Sequence, residues 1–313
     1  MRVLVTGGAG FIGSSVVHAL VARGDEVTVV DDLSTGSAGN LHPAADFHRM
    51  DVLDPELGDL ARLTAPEAVV HLAAQVSVSE SVRDPERDRL VNVEGTRALA
   101  RAAAGAGARR MLSASSAAVY GEPSSLPVAE DAPKSPQNPY GRSKLEAESV
   151  LAEELRGTGV DFASLRFANV YGPRQDWRGE GGVVAVFAGR MAAGEPVVVN
   201  GDGTQTRDFV YVGDVAGAVT EALEARATLA GAGVDGPAYN ISTGEETSVL
   251  ELVGLMRPLI GYEGPVTYAP LPAGDVPRSS LAQDKAAGVL RWRARVSLDQ
   301  GLRQTVRWFA AQR

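Results

Sequence analysis

The sequence predicts an α/β fold: a doubly wound parallel sheet with helices on both faces, and a smaller, interleaved α/β domain built from the C-terminal half. Short β-branched runs alternate with longer stretches of helical period along the first half of the chain. Several of these strands are apolar at every position, as expected when helices cover both faces of a parallel sheet. With 313 residues, 44% of them hydrophobic, the chain is long enough to bury such a core.

The predicted elements begin as a βαβ unit, with a strand at residues 3–6, a helix at 11–23 and a strand at 26–30. The pattern continues with a strand at 67–72, a helix near 88–104, a strand at 109–113, a helix at 139–156 and a strand at 160–166. After about residue 169 glycine and proline become frequent and the elements shorten, but a strand and helix near 208–225 resemble the first half again. We therefore expect two regions that interleave along the chain.

Composition excludes several classes of function. The 30 basic and 39 acidic residues give a formal charge of −9, which argues against nucleic acid or an anionic membrane as a partner. The absence of cysteine excludes disulfides, thiolate metal sites and cysteine nucleophiles. The four histidines have no paired spacing typical of a metal site, so no metal is predicted. No signal-like segment or run of about 20 apolar residues occurs, so we expect a cytoplasmic protein that does not enter a membrane.

A glycine-rich turn directly follows the first predicted strand and opens the first helix. The segment Gly7-Gly8-Ala9-Gly10-Phe11-Ile12-Gly13 places a glycine at every third position. Glycine permits a tight turn and lets a pyrophosphate approach the backbone N–H groups of the helix N-terminus. Asp31 ends the second strand, where a carboxylate accepts hydrogen bonds from a ribose diol and repels a 2′-phosphate. This order of features predicts a Rossmann-type dinucleotide site that prefers NAD over NADP.

Tyr140 and Lys144 are four residues apart at the start of the helix predicted at 139–156, so they share one face. A tyrosine of ordinary pKa, about 10, is a poor base at neutral pH, but a fixed ammonium one turn away favours its phenolate. Such a phenolate can take a proton from an alcohol while hydride leaves the same carbon. Ser115 and Ser116 end a preceding strand, where a serine hydroxyl would hydrogen-bond to the substrate oxygen.

Seven segments carry a resemblance to a known family. They are the Gly7 to Gly13 turn, His71-Leu72-Ala73-Ala74, Asn92-Val93-Glu94-Gly95-Thr96, Ser115-Ser116-Ala117-Ala118-Val119-Tyr120-Gly121, Tyr140 to Lys144, Arg166-Phe167-Ala168-Asn169-Val170-Tyr171-Gly172-Pro173-Arg174, and Thr206-Arg207-Asp208-Phe209-Val210. In this order and spacing they resemble the extended short-chain dehydrogenases/reductases, most closely the nucleotide-sugar 4-epimerases of the UDP-glucose 4-epimerase type. The resemblance covers nearly the whole chain.

The resemblance implies a role for each matching residue. Catalysis would fall to Ser116, Tyr140 and Lys144. A tightly bound NAD would be held by Gly7, Gly10, Phe11, Ile12, Gly13, Asp31, Asp32, Ser34, Asp51, Val52, Leu72, Ala73, Ala74, Gln75, Asn92, Tyr140, Lys144 and Phe167. A UDP-sugar substrate would be held by Ser77, Ser116, Tyr140, Asn169, Val183, Val199, Arg207, Asp275, Arg278 and Ser279.

The resemblance also implies an organisation for the whole chain. Residues 1–168 and about 205–238 would form the NAD-binding domain, and about 169–204 and 239–313 the sugar-nucleotide-binding domain. A homodimer would form through the helices near 88–104 and 139–156.

The two residues after Ser116 favour epimerisation among the family's reactions. Dehydratases of this type carry an acidic pair there, and decarboxylases keep an acid at the second place, whereas this chain has Ala117 and Ala118. An alanine cannot move a proton. We therefore expect an NAD-dependent 4-epimerase of a UDP-sugar that works through a transient 4-keto intermediate. A UDP-glucuronic acid 4-epimerase, or a net nucleotide-sugar oxidoreductase such as a 4-ketoreductase, remains the alternative.

The sugar itself is left open by the sequence. Epimerases restricted to simple hexoses tend to place a bulky tyrosine after the Gly-Asp-x-Pro segment, where this chain has Ser279, so an N-acetyl group would fit. A serine in an ordinary loop is the competing interpretation. Relatives also often carry an arginine where this chain has Pro272, and Arg278 is the candidate that would replace it on the diphosphate.

Overall fold

Seven parallel strands form the central sheet of the computed structural model, which describes residues 1–178, 181–231, 235–271 and 275–312. The strands of the described residues, in this sheet and outside it, are β1 (Arg2–Thr6), β2 (Glu26–Asp31), β3 (Asp46–Arg49), β4 (Ala68–His71), β5 (Arg110–Ser116), β6 (Asp161–Phe167), β7 (Asn169–Tyr171), β8 (Val197–Asn200), β9 (Thr206–Arg207), β10 (Phe209–Tyr211), β11 (Ala238–Ile241), β12 (Thr247–Ser248) and β13 (Val266–Ala269). The order across the central sheet is β11-β6-β5-β4-β1-β2-β3, and each neighbouring pair is parallel.

Helices cover both faces of this sheet. The α-helices of the described residues are α1 (Phe11–Ala22), α2 (Leu57–Thr64), α3 (Val78–Arg83), α4 (Pro85–Arg89), α5 (Gly95–Gly105), α6 (Pro139–Leu155), α7 (Val183–Ala193), α8 (Val212–Glu224), α9 (Val249–Ile260) and α10 (Leu298–Ala311). α1 and α8 pack together against one apolar core, and α2, α5 and α6 share a second core. The predicted doubly wound parallel sheet is confirmed.

The first strand shows why its sequence is apolar throughout. Val3 and Val5 face the core under α1 and α8, whereas Leu4 faces the core under α2, α5 and α6. Side chains alternate between the faces of a strand, and here both faces are closed to water. A continuous apolar run is therefore what this position in the sheet requires.

The sheet order creates a crevice at one edge. From β1 the chain proceeds outward to β2 and β3, and it then returns to β4 on the other side of β1. In open α/β sheets ligands bind outside the carboxyl ends of the strands where the strand order reverses in this way. The turn after β1 and the segment after β4 both lie at that point.

A second, smaller region carries its own apolar core between α7, α9 and α10. It contains three two-stranded pairs: β7 with β10, β9 with β12 and β8 with β13. The chain passes back and forth between the regions, because β11 joins the central sheet beside β6 and the π-helical segment Ala286–Leu290 packs into the first core.

Two predicted elements differ from the observed ones in a way that matters for the site. The strand predicted at 109–113 extends to Ser116. The helix predicted near 88–104 is divided into α4, a π-helical turn at Leu90–Glu94 and α5. The start of α5 lies close to Val52, and a Cβ on Gly95 would come within 2.9 Å of the Val52 side chain. π-turns inside helices are rare and often lie at functional sites.

Candidate active site

The turn between β1 and α1 is built for close backbone approach. Gly7 has φ +71°, and a Cβ on it would lie 2.6 Å from the backbone N of Ala73. A Cβ on Gly13 would lie 2.0 Å from the carbonyl oxygen of Gly7. Gly10 precedes α1 without a capping side chain, and the first turn of α1 contains no acidic residue. The first N–H groups of α1 are thus left for an anion, as at other phosphate-binding helix N-termini.

Asp31 lies at the carboxyl end of β2, beside this turn. Its Oδ2 accepts a hydrogen bond from the backbone N–H of Ala9 at 2.9 Å, and its Oδ1 accepts one from Leu33 at 2.9 Å. The side chain is buried, and a Cβ on Gly36 would come within 2.9 Å of Oδ1. The carboxylate is therefore fixed at the edge of the glycine turn. Next to it, Asp32 accepts hydrogen bonds from the N–H and hydroxyl of Ser34.

The segment after β4 is joined to the π-helical turn by a reciprocal amide contact. The N–H of Gln75 donates to Asn92 Oδ1 at 2.9 Å, and Asn92 Nδ2 donates to the carbonyl oxygen of Gln75 at 3.0 Å. This contact holds the partly buried residues Leu72, Ala73 and Ala74 along the crevice. Asp51 is exposed, and its carboxylate accepts a hydrogen bond from the N–H of Leu53.

The catalytic candidates come together where α6 meets the end of β5. Asn138 caps α6 by accepting from the N–H of Gly141 at 2.9 Å, and Pro139 takes the first turn as predicted. A Cβ on Gly141 would lie 2.6 Å from the carbonyl oxygen of Ala118, so only glycine allows the helix this close to the residues after Ser116. The Ser116 hydroxyl is thereby brought close enough to the phenol of Tyr140 to act on its pKa. Lys144 Nζ donates to the carbonyl oxygen of Ala114 at 3.1 Å and lies 5.9 Å from the centre of the Tyr140 ring.

Burial shifts the two titratable groups of this site in opposite directions. It raises the pKa of Tyr140, while the hydrogen bond with Ser116 acts to lower it. It lowers the pKa of Lys144 to about 8, and the charges of Asp88 and Glu148 act to raise it. Burial thus prevails at Tyr140, and the ammonium group of Lys144 is directed to the carbonyl oxygen of Ala114.

Two arginines predicted to contact substrate have different partners. Arg207 forms an ion pair with Asp275. The backbone of Arg278 pairs with that of Thr206 in an isolated β-bridge. Both side chains donate hydrogen bonds to the carboxylate of Glu246, and the distance from Arg278 Nε to Glu246 Oε2 is 2.9 Å. The structure thus pairs Arg207 with Asp275 and Arg278 with Glu246.

The remaining predicted contact residues vary in accessibility. Asn169 is exposed, Val183 and Ser279 are partly exposed, and Phe167 is buried at the end of β6. Val199 is fully buried in the core of the second region, so its side chain is closed to a ligand. Ser77 caps α3 by accepting from the N–H of Glu80. Pro272 lies outside the described residues.

A buried polar network under Ser116 was not predicted from the sequence. Ser115 Oγ donates to Glu148 Oε1 at 2.5 Å, and Arg166 holds Glu148 with two hydrogen bonds of 2.9 and 2.6 Å. Arg166 also donates to the hydroxyl of Tyr120 at 2.8 Å and is fully buried. The only signal in the sequence was an arginine at the end of a largely apolar predicted strand.

The described part of the chain contains no group of three or more histidine, aspartate or glutamate side chains arranged to hold a metal ion. Within the same residues, every helix is too short or too polar to cross a bilayer.

Comparison with known proteins gives matches over nearly the whole chain. A family model described as the NAD dependent epimerase/dehydratase family matches residues 3–242. UDP-glucose 4-epimerase of Mycolicibacterium smegmatis is 42% identical over 315 residues, covering 99% of this chain and 98% of the relative. The crystal structure of Thermotoga maritima UDP-glucose 4-epimerase with UDP-glucose is 41% identical and has a TM-score of 0.95, covering 100% of this chain and 99% of that one. The Thermus thermophilus UDP-glucose 4-epimerase complex with NAD is also 41% identical, with a TM-score of 0.91 and 99% of each chain covered.

Proposed function

Because the chain belongs to the NAD-dependent epimerase/dehydratase family, we propose that it is an isomerase that interconverts the C4 epimers of a UDP-sugar. The observation that carries this proposal is the placement of Ser116 at the end of β5 near Tyr140 and Lys144 on α6, at the same edge of the sheet as the glycine turn. The UDP-glucose 4-epimerases described above match the chain over nearly their full length.

The crevice suits NAD in shape and in charge. Side chains at Gly7, Gly13 or Gly36 would fill the space beside the turn and Asp31, and the open N-terminus of α1 would hold the pyrophosphate. Asp31 would accept from the adenosine ribose. When bound there, NAD would supply the reversible hydride transfer at the sugar C4. We propose that it stays tightly bound through the cycle, held by the cofactor residues named in the sequence.

Tyr140 would hold and move the proton of the sugar C4 hydroxyl. Ser116 lies near enough to this phenol to act on its pKa, so a sugar O4 in contact with both side chains would be oriented toward Tyr140. Lys144 would supply a fixed positive charge that favours the phenolate when the site is filled. The protein's part is thus orientation and proton transfer.

The positions after Ser116 fit a reaction that needs no further acid. Ala117 and Ala118 form a short 3₁₀ turn, and the N–H of Ala118 donates to Ser116 Oγ at 3.2 Å. Dehydration and decarboxylation would need a proton-transferring side chain at this place. Beyond the hydride chemistry that bound NAD would supply, epimerisation would need no proton-transferring side chain other than those already present.

We propose that the UDP-sugar lies between the two regions, with the NAD-binding domain at 1–168 and about 205–238 and the sugar-nucleotide-binding domain at about 169–204 and 239–313. Arg207 would grip a phosphate once a substrate displaces Asp275 from it. Ser77, Asn169, Val183, the backbone of Val199, and Ser279 would line the remaining path. Arg278 would have to leave Glu246 to take part.

The test is to incubate the purified protein separately with UDP-glucose, UDP-N-acetylglucosamine and UDP-glucuronic acid, without added cofactor, and to follow the sugar signals by proton NMR. We expect conversion of at least one substrate to its galacto epimer, and the preferred substrate identifies the sugar. No conversion of any of the three would overturn the proposal. Steady consumption of added NADH would point to a net oxidoreductase instead.

We further propose that the enzyme works as a homodimer in the cytoplasm, through the surface around α5 and α6. Four apolar side chains on the segment that precedes α5, Val76, Val78, Val82 and Leu90, are exposed in the single chain. Apolar clusters of this kind mark interaction surfaces. Light scattering of the eluting protein should give twice the chain mass of 32.6 kDa.

A further inference from the structure

Asp88 is a buried carboxylate at the catalytic site that the proposed reaction does not yet use. It lies in α4, in a run of charged residues, yet only 1% of it is exposed. Its Oδ1 accepts hydrogen bonds from Gln75 Nε2 at 2.9 Å and from Asn92 Nδ2 at 3.2 Å. Asn92 Nδ2 also donates to Ser143 Oγ at 3.0 Å. Asp88 is therefore tied to the turn of α6 that carries Tyr140 and Lys144.

Burying a carboxylate is costly unless a positive charge compensates it. Glu148, the other acid near Lys144, is compensated by the double hydrogen bond from Arg166. Asp88 has no such partner: among the described residues its Oδ2 is buried without any hydrogen-bond donor. Its charge is left to act on the nearest ammonium.

Lys144 is that ammonium. The charged and titratable groups that face it are Asp88 from α4, Glu148 and Tyr140 from α6, and His71 from β4. Burial lowers the pKa of Lys144, and Asp88 is the first of the two carboxylates that oppose this. The same lysine acts on the pKa of Asp88, which burial raises and the charge of Lys144 lowers. His71 is held neutral by burial, so it adds no positive charge.

We propose that Asp88 is a positioning residue that keeps Lys144 in its charged form and fixes the first turn of α6 on the π-helical turn. The catalytic consequence rests on the proposed function, because a charged Lys144 matters there for the phenolate of Tyr140. The electrostatic part does not depend on which reaction the site performs.

The chain offers an unusually direct measurement, since it contains only three lysines, Lys134, Lys144 and Lys285. Protein labelled with carbon-13 at lysine Cε gives three signals, and Lys144→Arg identifies the one from Lys144. In Asp88→Asn the amide oxygen can still accept from Gln75 and Asn92, so the contacts are kept and the charge is lost. We expect the pKa of Lys144 to fall by about 1, with Lys134 and Lys285 unchanged. An unchanged Lys144 would overturn the proposal, whether or not the protein is an epimerase.

The second measurement is the pH dependence of turnover. The alkaline limb of the kcat profile should move to lower pH by about 1 in Asp88→Asn and return in Asp88→Glu. Glu86→Gln removes an exposed carboxylate from the same helix and should leave the profile in place. If kcat of Asp88→Asn fell equally at every pH and the alkaline limb stayed in place, the role of Asp88 would be merely structural and the proposal would be contradicted. If Asp88→Asn does not fold, Asp88→Ser, with a small hydroxyl acceptor, allows the same two measurements.

Discussion

At the scale of single residues, Tyr140 and Lys144 show how burial decides the state of a site. Burial favours the neutral form of both groups, so the pKa of the phenol rises and that of the ammonium falls. Each side chain is therefore prepared to change its charge when a ligand changes its surroundings. The pattern of residues gave the pair and its shared face, but the direction of these shifts comes from tertiary packing.

Replacing Tyr140 by phenylalanine removes the phenol whose pKa Ser116 acts on. We expect kcat to fall by about 10²- to 10⁴-fold, as is usual when a positioned proton carrier is lost. NAD measured after release from the purified protein should be undiminished. Tyr268→Phe, at an exposed tyrosine, is the matched control and should keep full activity. A variant at Tyr140 with normal turnover would remove this residue from the mechanism.

His71 makes the stability of the fold depend on pH. It is buried between Thr6 and Thr96, at 2.7 and 3.2 Å, and burial lowers its pKa from 6.5 to about 3. The unfolded chain binds a proton at this group below pH 6.5, whereas the folded chain does not. Stability therefore falls as the pH drops from 6.5 toward 3, by about 1.4 kcal/mol per pH unit.

Urea unfolding at pH 6.5 and at about pH 5 measures this effect. His71→Gln should lose less stability between the two pH values than the unsubstituted protein, by about 2 kcal/mol. The carboxylates of the chain contribute equally to both proteins, so the difference belongs to His71. Equal losses in the two proteins would show that the imidazole is not held neutral.

Some site residues could be predicted from the sequence and others could not. Asp31, Tyr140 and Lys144 were found because their chemistry depends on local spacing, such as the end of a strand or one turn of a helix. Asp88 was missed because it stands among exposed charged residues, which is the pattern of a solvated face. Its burial follows from the packing of α4 against α6, which is a tertiary contact.

At the scale of elements, the turn between β1 and α1 depends on backbone atoms that lie too close to its glycines to leave room for a side chain. Gly13→Ala would place a Cβ 2.0 Å from the carbonyl oxygen of Gly7. We expect a loss of bound NAD and about 1–3 kcal/mol of stability, because the backbone must move to relieve the contact. Bound cofactor and urea unfolding measure the two effects.

Gly105→Ala is the comparison for that variant. Gly105 ends α5, and a Cβ there would meet no atom within 4 Å. Its replacement should leave NAD binding intact and stability unchanged or raised by up to about 1 kcal/mol. If both alanine variants retained NAD equally, the close approach at Gly13 would not be what shapes the cofactor site.

The division of the predicted helix at 88–104 shows a limit of periodic patterns. A π-turn adds a residue without breaking the run of helical residues, so the sequence period hardly registers it. Its effect is to bring Asn92 against Gln75 and the segment after β4. The existence of the helix was predictable, but the π-helical turn that directs the Asn92 side chain to Gln75 was not.

At the scale of the whole molecule, the pair Glu148 and Arg166 joins α6 to β6 beneath the catalytic serine. Glu148→Ala would leave the guanidinium of Arg166 buried without this partner. Removing one member of a buried pair costs about 3–5 kcal/mol. Glu153→Ala, at an exposed position of the same helix, should stay within about 0.5 kcal/mol of the unsubstituted protein. Similar unfolding midpoints for both variants would contradict a structural role for the buried pair.

The parallel sheet was predictable as a whole because its strands are apolar on both faces. The entry of β11 into the sheet was not, since four buried residues late in the chain carry no sign of which edge they will join. Long-range pairing of this kind is decided by the free edge of β6, which the local sequence around β11 does not describe.

That late strand has a consequence for synthesis on the ribosome. A nascent chain that has emerged as far as Phe167 holds six strands of the sheet, but the outer backbone groups of β6 have no neighbour until Ala238–Ile241 follows. Until those residues are translated, β6 is an unpaired edge strand, and such strands can pair with other nascent chains and aggregate. A gene stopped after codon 168 would accordingly yield an aggregating fragment, although that fragment contains the glycine turn, Asp31 and Tyr140.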